Sequence, residues 1–429
     1  MKRKITIGSL RDNLLVFLAT SGPISKKALH TPFKSMYSTQ YYSRAYRRLL
    51  EYGYIQETKV NGRLEVRLTR EGIAAVRALH PDREITKAPA AKDYMKKRRQ
   101  QMQAGTRAVF AGAGIIVSGA AKPDLEELQK QNSEEETRYN RSITRGIFYS
   151  SSELKQICKI KNGSSEYLYS SRLLGIVLYE QNIFYIYNIG QKLIELYPKR
   201  ELKTITAIQK ALNNIPVIKN SVNIEESGTC ILLGNLKSML VKVYKGNTYG
   251  KTVTAMTKGK MSQMQRWQTV HATYDTFRLL FDKIYFASCD THGADILKTI
   301  KELYANDLTG TSNALCQKVA KQAHAVIDGS CGNMGFIPKT GENIVPMPII
   351  EMVEMDTYIR ELKSRDTTAT VYGQKYYADV ISRCFGKAIA KYVSLEDMEE
   401  VPIFFYDNDG YPDGDTYMSG LIPVANSSR

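Results

Sequence analysis

The dipeptide Asn61-Gly62 constrains this chain more than any other feature. It separates two short runs of alternating polarity, Tyr54 to Val60 and Arg63 to Leu68. Both central positions of a tight two-residue hairpin need a positive φ, which Asn and Gly adopt at least cost, so the pair predicts an antiparallel hairpin. Upstream, Leu10, Leu14, Leu15, Phe17 and Leu18 supply the apolar face of a helix over Ser9 to Ala19, and Ser21-Gly-Pro23 stops it. Ser25 caps a short second helix to Leu29, and Ser38 opens a third that runs to Tyr52 and ends at Gly53. Downstream, Thr69 starts a fourth helix ending near Leu79. The predicted order is helix, helix, helix, hairpin, helix.

The third helix divides by polarity. At about 100° per residue, Tyr42, Ala45, Tyr46 and Leu49 fall on one side, with Leu50 at its edge. Gln40, Arg44, Arg47 and Glu51 cluster opposite, flanked by Ser43 and Arg48. The first set reads as core. Arginine and glutamine in the second can pair with guanine and adenine edges in a DNA major groove. Arg63, at the hairpin tip, can reach an adjacent phosphate or the minor groove, and Lys59 stands near it.

Charge supports the same quarter of the chain. Lys and Arg total 60 against 43 Asp and Glu, a net +17 in 429 residues. Residues 1–107 hold 23 of the basic side chains and only 8 acidic ones, which leaves a net of +2 for the other 322 residues. A segment so biased is drawn to a polyanion. The basic run Lys96-Lys97-Arg98-Arg99 reads either as a solvated helix face or as an arm lying along phosphates.

A membrane span is not expected. Ala108 to Ala121, the longest uncharged apolar stretch, is too short and is broken by Gly112, Gly114 and Gly119. The start, Met1-Lys-Arg-Lys4, lacks the apolar run of a signal peptide. The six cysteines are scattered with no Cys-x-x-Cys pair, which fits a reducing compartment and a cytoplasmic protein.

The whole chain reads as four segments: a DNA-binding segment over 1–80, a basic linker with a helical connection over 81–145, a mixed α/β domain over 146–340, and an irregular, acidic region over 341–429. Gln129 to Arg145 is expected to be a mobile connection. Ser150-Ser-Ser-Glu153 has the form of a capping box for a helix through Ile157. Strands are expected over Arg172 to Tyr179, Ile183 to Tyr187, Thr229 to Leu233, Leu240 to Tyr244 and Lys283 to Ser288. Helices are expected over Glu201 to Leu212, Met261 to Phe281 and Ala294 to Tyr304. Prolines at 346 and 348 and later glycines suggest irregular structure after Thr340.

Several chemistries can be weighed. A restriction-type nuclease needs an acidic residue and a following Glu-x-Lys to hold a metal and its water. Asp124 with Glu153-Leu-Lys155 matches in letters, and Glu201-Leu-Lys203 offers a second triplet. Both fall on expected helices, where residues two apart diverge by about 200° and cannot share one ligand. Asn247-Thr-Tyr-Gly-Lys251-Thr252 misses the spacing of a phosphate-binding loop. Cys289, His292, His324 and Cys331 match no common zinc finger, and Asp407-Asn-Asp409-Gly410 lacks the terminal Glu of a calcium loop. His80-Pro-Asp-Arg83 has the form of a recombinase His-x-x-Arg but lies in the expected linker. No metal and no cofactor is therefore expected, and the residues read as those of a binding protein rather than an enzyme.

Leu50-Glu-Tyr-Gly-Tyr-Ile55 followed by Arg67-Leu-Thr-Arg-Glu-Gly72 resembles the passage from third helix through wing to fourth helix in winged helix-turn-helix proteins, over about the first eighty residues. The whole layout resembles the replication-relaxation family of bacterial mobile elements. Tyr149-Ser-Ser-Ser-Glu-Leu-Lys155, Ser171-Arg-Leu-Leu-Gly175 and Tyr185-Ile-Tyr-Asn188 carry that resemblance in the second domain. It implies an α+β multidomain protein: an N-terminal winged helix-turn-helix, then a mixed domain related to restriction-type nucleases. The departure is that no metal-binding triad falls on strands.

The expected function is binding of double-stranded DNA by an accessory or regulatory protein of a plasmid, conjugative element or phage, in replication, mobilisation or transcription control. The expected contacts are Gln40, Ser43, Arg44, Arg47, Arg48, Lys59, Arg63, Lys96, Lys97, Arg98 and Arg99. Partner proteins of a replication or mobilisation complex and a homodimer are compatible with it, as is association with nucleoid or plasmid. Two alternatives stay open: a metal-dependent nuclease or nickase, and a scaffold that uses its wing for protein contacts.

Overall fold

The computed structural model describes residues 5–60, 63–81, 85, 94–162, 168, 171–190, 195–196, 198–224, 228–234, 236–245, 270–271, 273–305, 319, 321, 325–327, 336–338 and 343–403. Contacts divide the chain into two units: residues 1–311 with 349–355, and residues 312–348 with 356–429. The fold is mixed, with helices and several sheets.

The first unit opens with α1 (Leu10–Ser21), capped by the Ser9 hydroxyl on the Asp12 amide. A two-residue strand β1 (Ile24–Ser25) and α2 (Lys26–His30) follow, and Ser25 caps α2 through the Ala28 amide. Helix α3 (Thr39–Glu51) starts at the Ser38 cap and ends at Gly53, whose φ of +69° is the left-handed value glycine tolerates. Strands β2 (Ile55–Val60) and β3 (Arg63–Leu68) pair antiparallel with Val60 opposite Arg63, the register the hairpin dipeptide predicts. Strand β1 adds to the far side of β3, with Ile24 opposite Val66, a third strand not foreseen from the sequence. Helix α4 (Arg70–Leu79) closes the module. At its end His80 Nε2 meets Asp12 Oδ1 at 2.9 Å, which ties the last helix to the first.

The core of this module holds Leu14, Leu15, Leu29, Leu49, Val66 and Val76, all nearly or fully buried. Ala104 and Ala108 belong to the same core, although they come from α5 (Tyr94–Gly112). Within the expected linker and helical connection, Tyr94–Gly112 is therefore a packed helix. Gln129 to Arg145 is likewise not a mobile connection in its described form: α6 (Leu125–Gln129) is followed by α7 (Ser133–Ser142), capped by Asp124 and Asn132 respectively.

Helix α5 also covers a sheet. Among the described residues the strands β4 (Ile147–Ser150), β5 (Gly175–Tyr179), β6 (Asn182–Gly190), β8 (Thr229–Gly234), β10 (Lys283–Ser288) and β14 (Ile350–Glu351) form one sheet in the order β14-β10-β8-β6-β5-β4. Its centre, β6-β8-β10, is parallel; β4, β5 and β14 join antiparallel. Side chains alternate across it. On one face Asn188 Nδ2 reaches Met102 O at 3.3 Å and Thr106 Oγ1 at 3.2 Å of α5, and Phe184 meets Tyr304 of α13 (Thr291–Ala305). On the other, Tyr187 donates to Glu201 of α9 (Pro198–Asn213) and its ring meets Phe277 of α12 (Tyr274–Arg278). Helix α8 (Ser151–Asn162) begins at the expected box, where Ser150 N and Oγ both donate to Glu153 Oε2. Two short strands, β7 (Glu195–Leu196) and β9 (Val270–His271), pair separately, so the expected long helix from Met261 is interrupted there; residues 246–269 lie outside the described ones. The expected strand Leu240 to Tyr244 is a helix, α11 (Met239–Lys245), which follows the six-residue α10 (Pro216–Ser221) and β8.

The second unit corrects the expectation of an irregular region after residue 340. Strands β11 (Ala325–Ile327) and β12 (Phe336–Pro338) pair antiparallel. Strands β13 (Asn343–Met347), β15 (Ala369–Gly373) and β16 (Ile389–Ser394) are parallel neighbours, linked through α14 (Met352–Ser364) and α15 (Ala378–Phe385). The acidic residues from Asp407 onward lie outside the described residues.

Candidate nucleic-acid interface

Helix α3 is split as its sequence requires. Tyr42, Ala45, Tyr46 and Leu49 are buried, whereas Gln40, Ser43, Arg44, Arg47, Arg48 and Glu51 are exposed. A line of aromatic contacts fixes the buried side. His30 lies edge-on to Tyr42 with ring centroids 4.4 Å apart, and Tyr42 stacks on Tyr46 at 6.1 Å. Tyr46 donates to Glu57 Oε1 of β2 at 2.6 Å, and Lys26 of α2 pairs with that carboxylate at 2.9 Å. Lys26 therefore joins α2, α3 and the hairpin through one acceptor. Its hydrogen bond, with that of Tyr46, holds the Glu57 carboxyl below its usual range, while burial pushes the Tyr46 phenol up. These bonds set the roll of α3 about its axis, and with it the direction of Arg44 and Arg47.

The other expected contacts divide. Lys59 is exposed at the end of β2. Arg63 begins β3, but its side chain and the Asn61-Gly62 turn lie outside the described residues. Lys96 is exposed on α5, with Lys97 and Arg98 half-buried. Arg99 turns inward: its guanidinium donates to Ser151 Oγ at 3.1 Å and approaches Leu173 O at 3.4 Å. Burial, then the neighbouring Arg172, lowers its pKa, offset in part by Glu201. The run thus winds around a packed helix that is anchored at its fourth residue, rather than forming a detached arm. Sequence reading passed over Lys26, Lys27 and Lys34, which are exposed on α2 and in the turn before α3. Their place between two capped helices was the signal that could have found them.

Both nuclease triplets fall on helices, as expected, and Asp124 caps a third. Glu153 sits in the first turn of α8, where it accepts from Ser150 and pairs with Lys122. Burial opposes its charge, but Lys122 and the Ser150 bonds prevail and hold its pKa down; Lys122 is itself pulled down by burial. Glu201, buried on α9, accepts from Ser171 Oγ at 2.6 Å, Arg172 N at 2.8 Å and Tyr187 at 2.9 Å. Its carboxylate is filled by structural bonds. Cys289 is a free thiol, and burial pushes its pKa up to about 12; His324, Cys331 and residues 247–252 lie outside the described ones. Among the described residues no group of three or more His, Cys, Asp or Glu is placed to hold a metal ion, and no helix is long and apolar enough to cross a membrane.

The chain is thus a mixed α+β protein whose basic helix α3 is presented beside a three-stranded sheet. Comparison with protein-family models, with curated proteins and with solved structures finds no match.

Proposed function

We propose that this protein binds double-stranded DNA through α3 and the β2–β3 hairpin, in the manner of a winged helix-turn-helix. In this reading it is an accessory or regulatory protein of a plasmid, conjugative element or phage, working in the cytoplasm on nucleoid or plasmid DNA. The observation that carries the reading is the division of α3: the side chains able to read bases are the exposed ones, and the opposite side is locked by Tyr42 and Tyr46. The charge bias of residues 1–107 adds an independent attraction to phosphates. The assignment to mobile elements rests on the layout's resemblance to the replication-relaxation family.

Arg44 and Arg47 should enter the major groove, where each bidentate contact supplies about 1–3 kcal/mol of discrimination. Sites selected from random duplexes provide the assay. Arg44→Ala or Arg47→Ala should flatten the preference among sequences, whereas Arg63→Ala should weaken all duplexes alike and lower the salt slope by about one unit. If all three variants bind selected DNA within about twofold of the parent, less than about 0.5 kcal/mol, the arginines only solubilise the surface and the scaffold reading gains.

A further inference from the structure

A small cavity of about 120 Å³ lies between the turn that leads into α3 and the start of α13. Thr31, Lys34 and Ser35 line it from the N-terminal module; Thr291, Asp295 and Lys298 line it from the sheet's covering helix. The walls are fixed by close packing. A Cβ at Gly112 of α5 would come within 2.9 Å of Thr31 Cγ2 and 3.1 Å of Ala294 Cβ, so only glycine lets α5, the turn and α13 meet there. The volume is far below the roughly 300–1,000 Å³ that encloses a drug-sized ligand, so the cavity suits a single compact group rather than a nucleotide.

Its chemistry selects the group. Two lysines from two parts of the fold, Lys34 and Lys298, line it together with the hydroxyl residues Ser35, Thr291 and Thr31. The amides at the start of α13 do not supply the site, because Asp290 already accepts from the amides of His292 at 3.1 Å and Gly293 at 3.2 Å. The remaining donors are side chains, and all of them suit an anionic oxygen. Asp295 is the opposing element. It pairs with Lys298 at 3.2 Å on the exposed rim, where the pair is weak and one partner is replaceable.

Resting on the DNA-binding reading, we propose that this cavity seats a backbone phosphate of the bound duplex, so that Lys298 of the sheet layer extends the interface begun by α3. Lys34 and Ser35 stand four and three residues before the α3 cap Ser38, so the cavity lies at the N-terminal end of the helix proposed to read the groove.

The test uses the full chain and a duplex followed by fluorescence anisotropy over a range of salt. Each phosphate contact contributes about 0.9 to the slope of log affinity against log salt. Lys298→Gln and Lys34→Gln should each lose that amount. Between about 50 and 200 mM salt, the parent's affinity should then fall about 3.5-fold more than either variant's. Asp295→Asn removes the competing carboxylate and should tighten DNA, a gain that damage to the fold would not produce. Lys219→Gln, an exposed lysine on α10, controls for net charge and should keep nearly the parent's slope. A parent that ignores DNA overturns the function and the inference together. Arg44 and Arg47 effects with an unchanged slope in Lys298→Gln overturn the inference alone. Inorganic phosphate at matched ionic strength separates the sources. Weakening of DNA binding in the parent but not in Lys298→Gln supports the proposal; thermal stabilisation by phosphate that depends on Lys298, with no change in the DNA slope, makes the cavity a free-anion site and overturns it.

Discussion

Arg99 provides the sharpest test of how the basic helix works. Read as a sequence, it is one of four consecutive bases available to DNA; in the fold it is the one that turns inward. Arg99→Met keeps most of the apolar stem and removes the guanidinium. A hydrogen bond from a charged donor contributes about 1.5–3 kcal/mol. The 3.1 Å bond to Ser151 Oγ counts in full, whereas the 3.4 Å approach to Leu173 O lies beyond the normal range and adds little. The expected loss is about 1.5–3 kcal/mol. Roughly 2–4 °C accompanies each kcal/mol in a unit of about 150–250 residues and less in a larger one, so the midpoint should fall by about 3–10 °C. Thermal unfolding by circular dichroism measures it, and DNA binding well below the transition should stay close to the parent's. A variant that melts with the parent but loses an increment of salt slope, as a phosphate-contact variant should, would make Arg99 a phosphate contact and refute the anchor.

Two further outcomes follow from single contacts. Burial raises the folded-state pKa of Glu201 above its usual 4.5 despite three hydrogen bonds, so the native state keeps a proton that the unfolded chain has released. The parent should therefore lose stability relative to Glu201→Gln as pH rises from about 4.5, and the gap should level off above the native pKa; urea midpoints for both proteins at several pH values check this, and a gap that is flat or narrows with pH contradicts it. A Cβ at Gly72 would stand 2.0 Å from the backbone oxygen of Tyr54, which already accepts from the Thr69 amide at 3.0 Å. Gly72→Ala should destabilise by at least about 2 kcal/mol, although alanine is otherwise the better helix former by about 1 kcal/mol, so a rise in the urea midpoint would show the close approach to be wrong.

The elements legible in the sequence are those whose signals are local. Ser25, Ser38 and Thr69 cap the helices they were expected to begin, and Ser9, expected inside the first helix, is its cap, because a hydroxyl accepting from an amide three residues on depends on nothing distant. The division of α3 was readable for the same reason. Features set by distant partners were not. Residues 240–244, Leu-Val-Lys-Val-Tyr, carry strand-forming types in alternation, yet form a helix with Met239, Leu240 and Val243 buried. A period of two and one helical turn cannot be told apart over five residues. Pro346 argued against a strand, yet it stands within β13, opposite Tyr372 in the parallel ladder with β15, because the pairing of Ile344, Val345 and Met347 on either side of it is set by a strand distant in sequence. The basic run of α5 hid a packed helix, because its covering role is decided by Ala104, Thr106 and Ala108, small residues whose partners lie far along the chain.

That helix changes what the N-terminal module can be. The first eighty residues do not complete their own core, since Ala104 and Ala108 of α5 are part of it. Two residues away from Ala104, Thr106 accepts from Asn188 in the central sheet, so the same turns of α5 serve both layers. Arg107 adds a bond from α5 to Thr20 O of α1 at 2.6 Å, and Gly112 brings Thr31 and Ala294 to its two sides. A helix with residues in two cores cannot rotate in one without opening the other, because close-packed interiors have no slack for it. A basic reading helix on a flexible tether would search DNA independently of what it carries. Here the turn before α3 is packed against α5 and α13 through Thr31, Gly112 and Ala294, so on the proposed reading DNA held by Arg44 and Arg47 would meet Lys298 at a set distance, and the sheet layer would be part of the DNA-binding surface rather than cargo behind it.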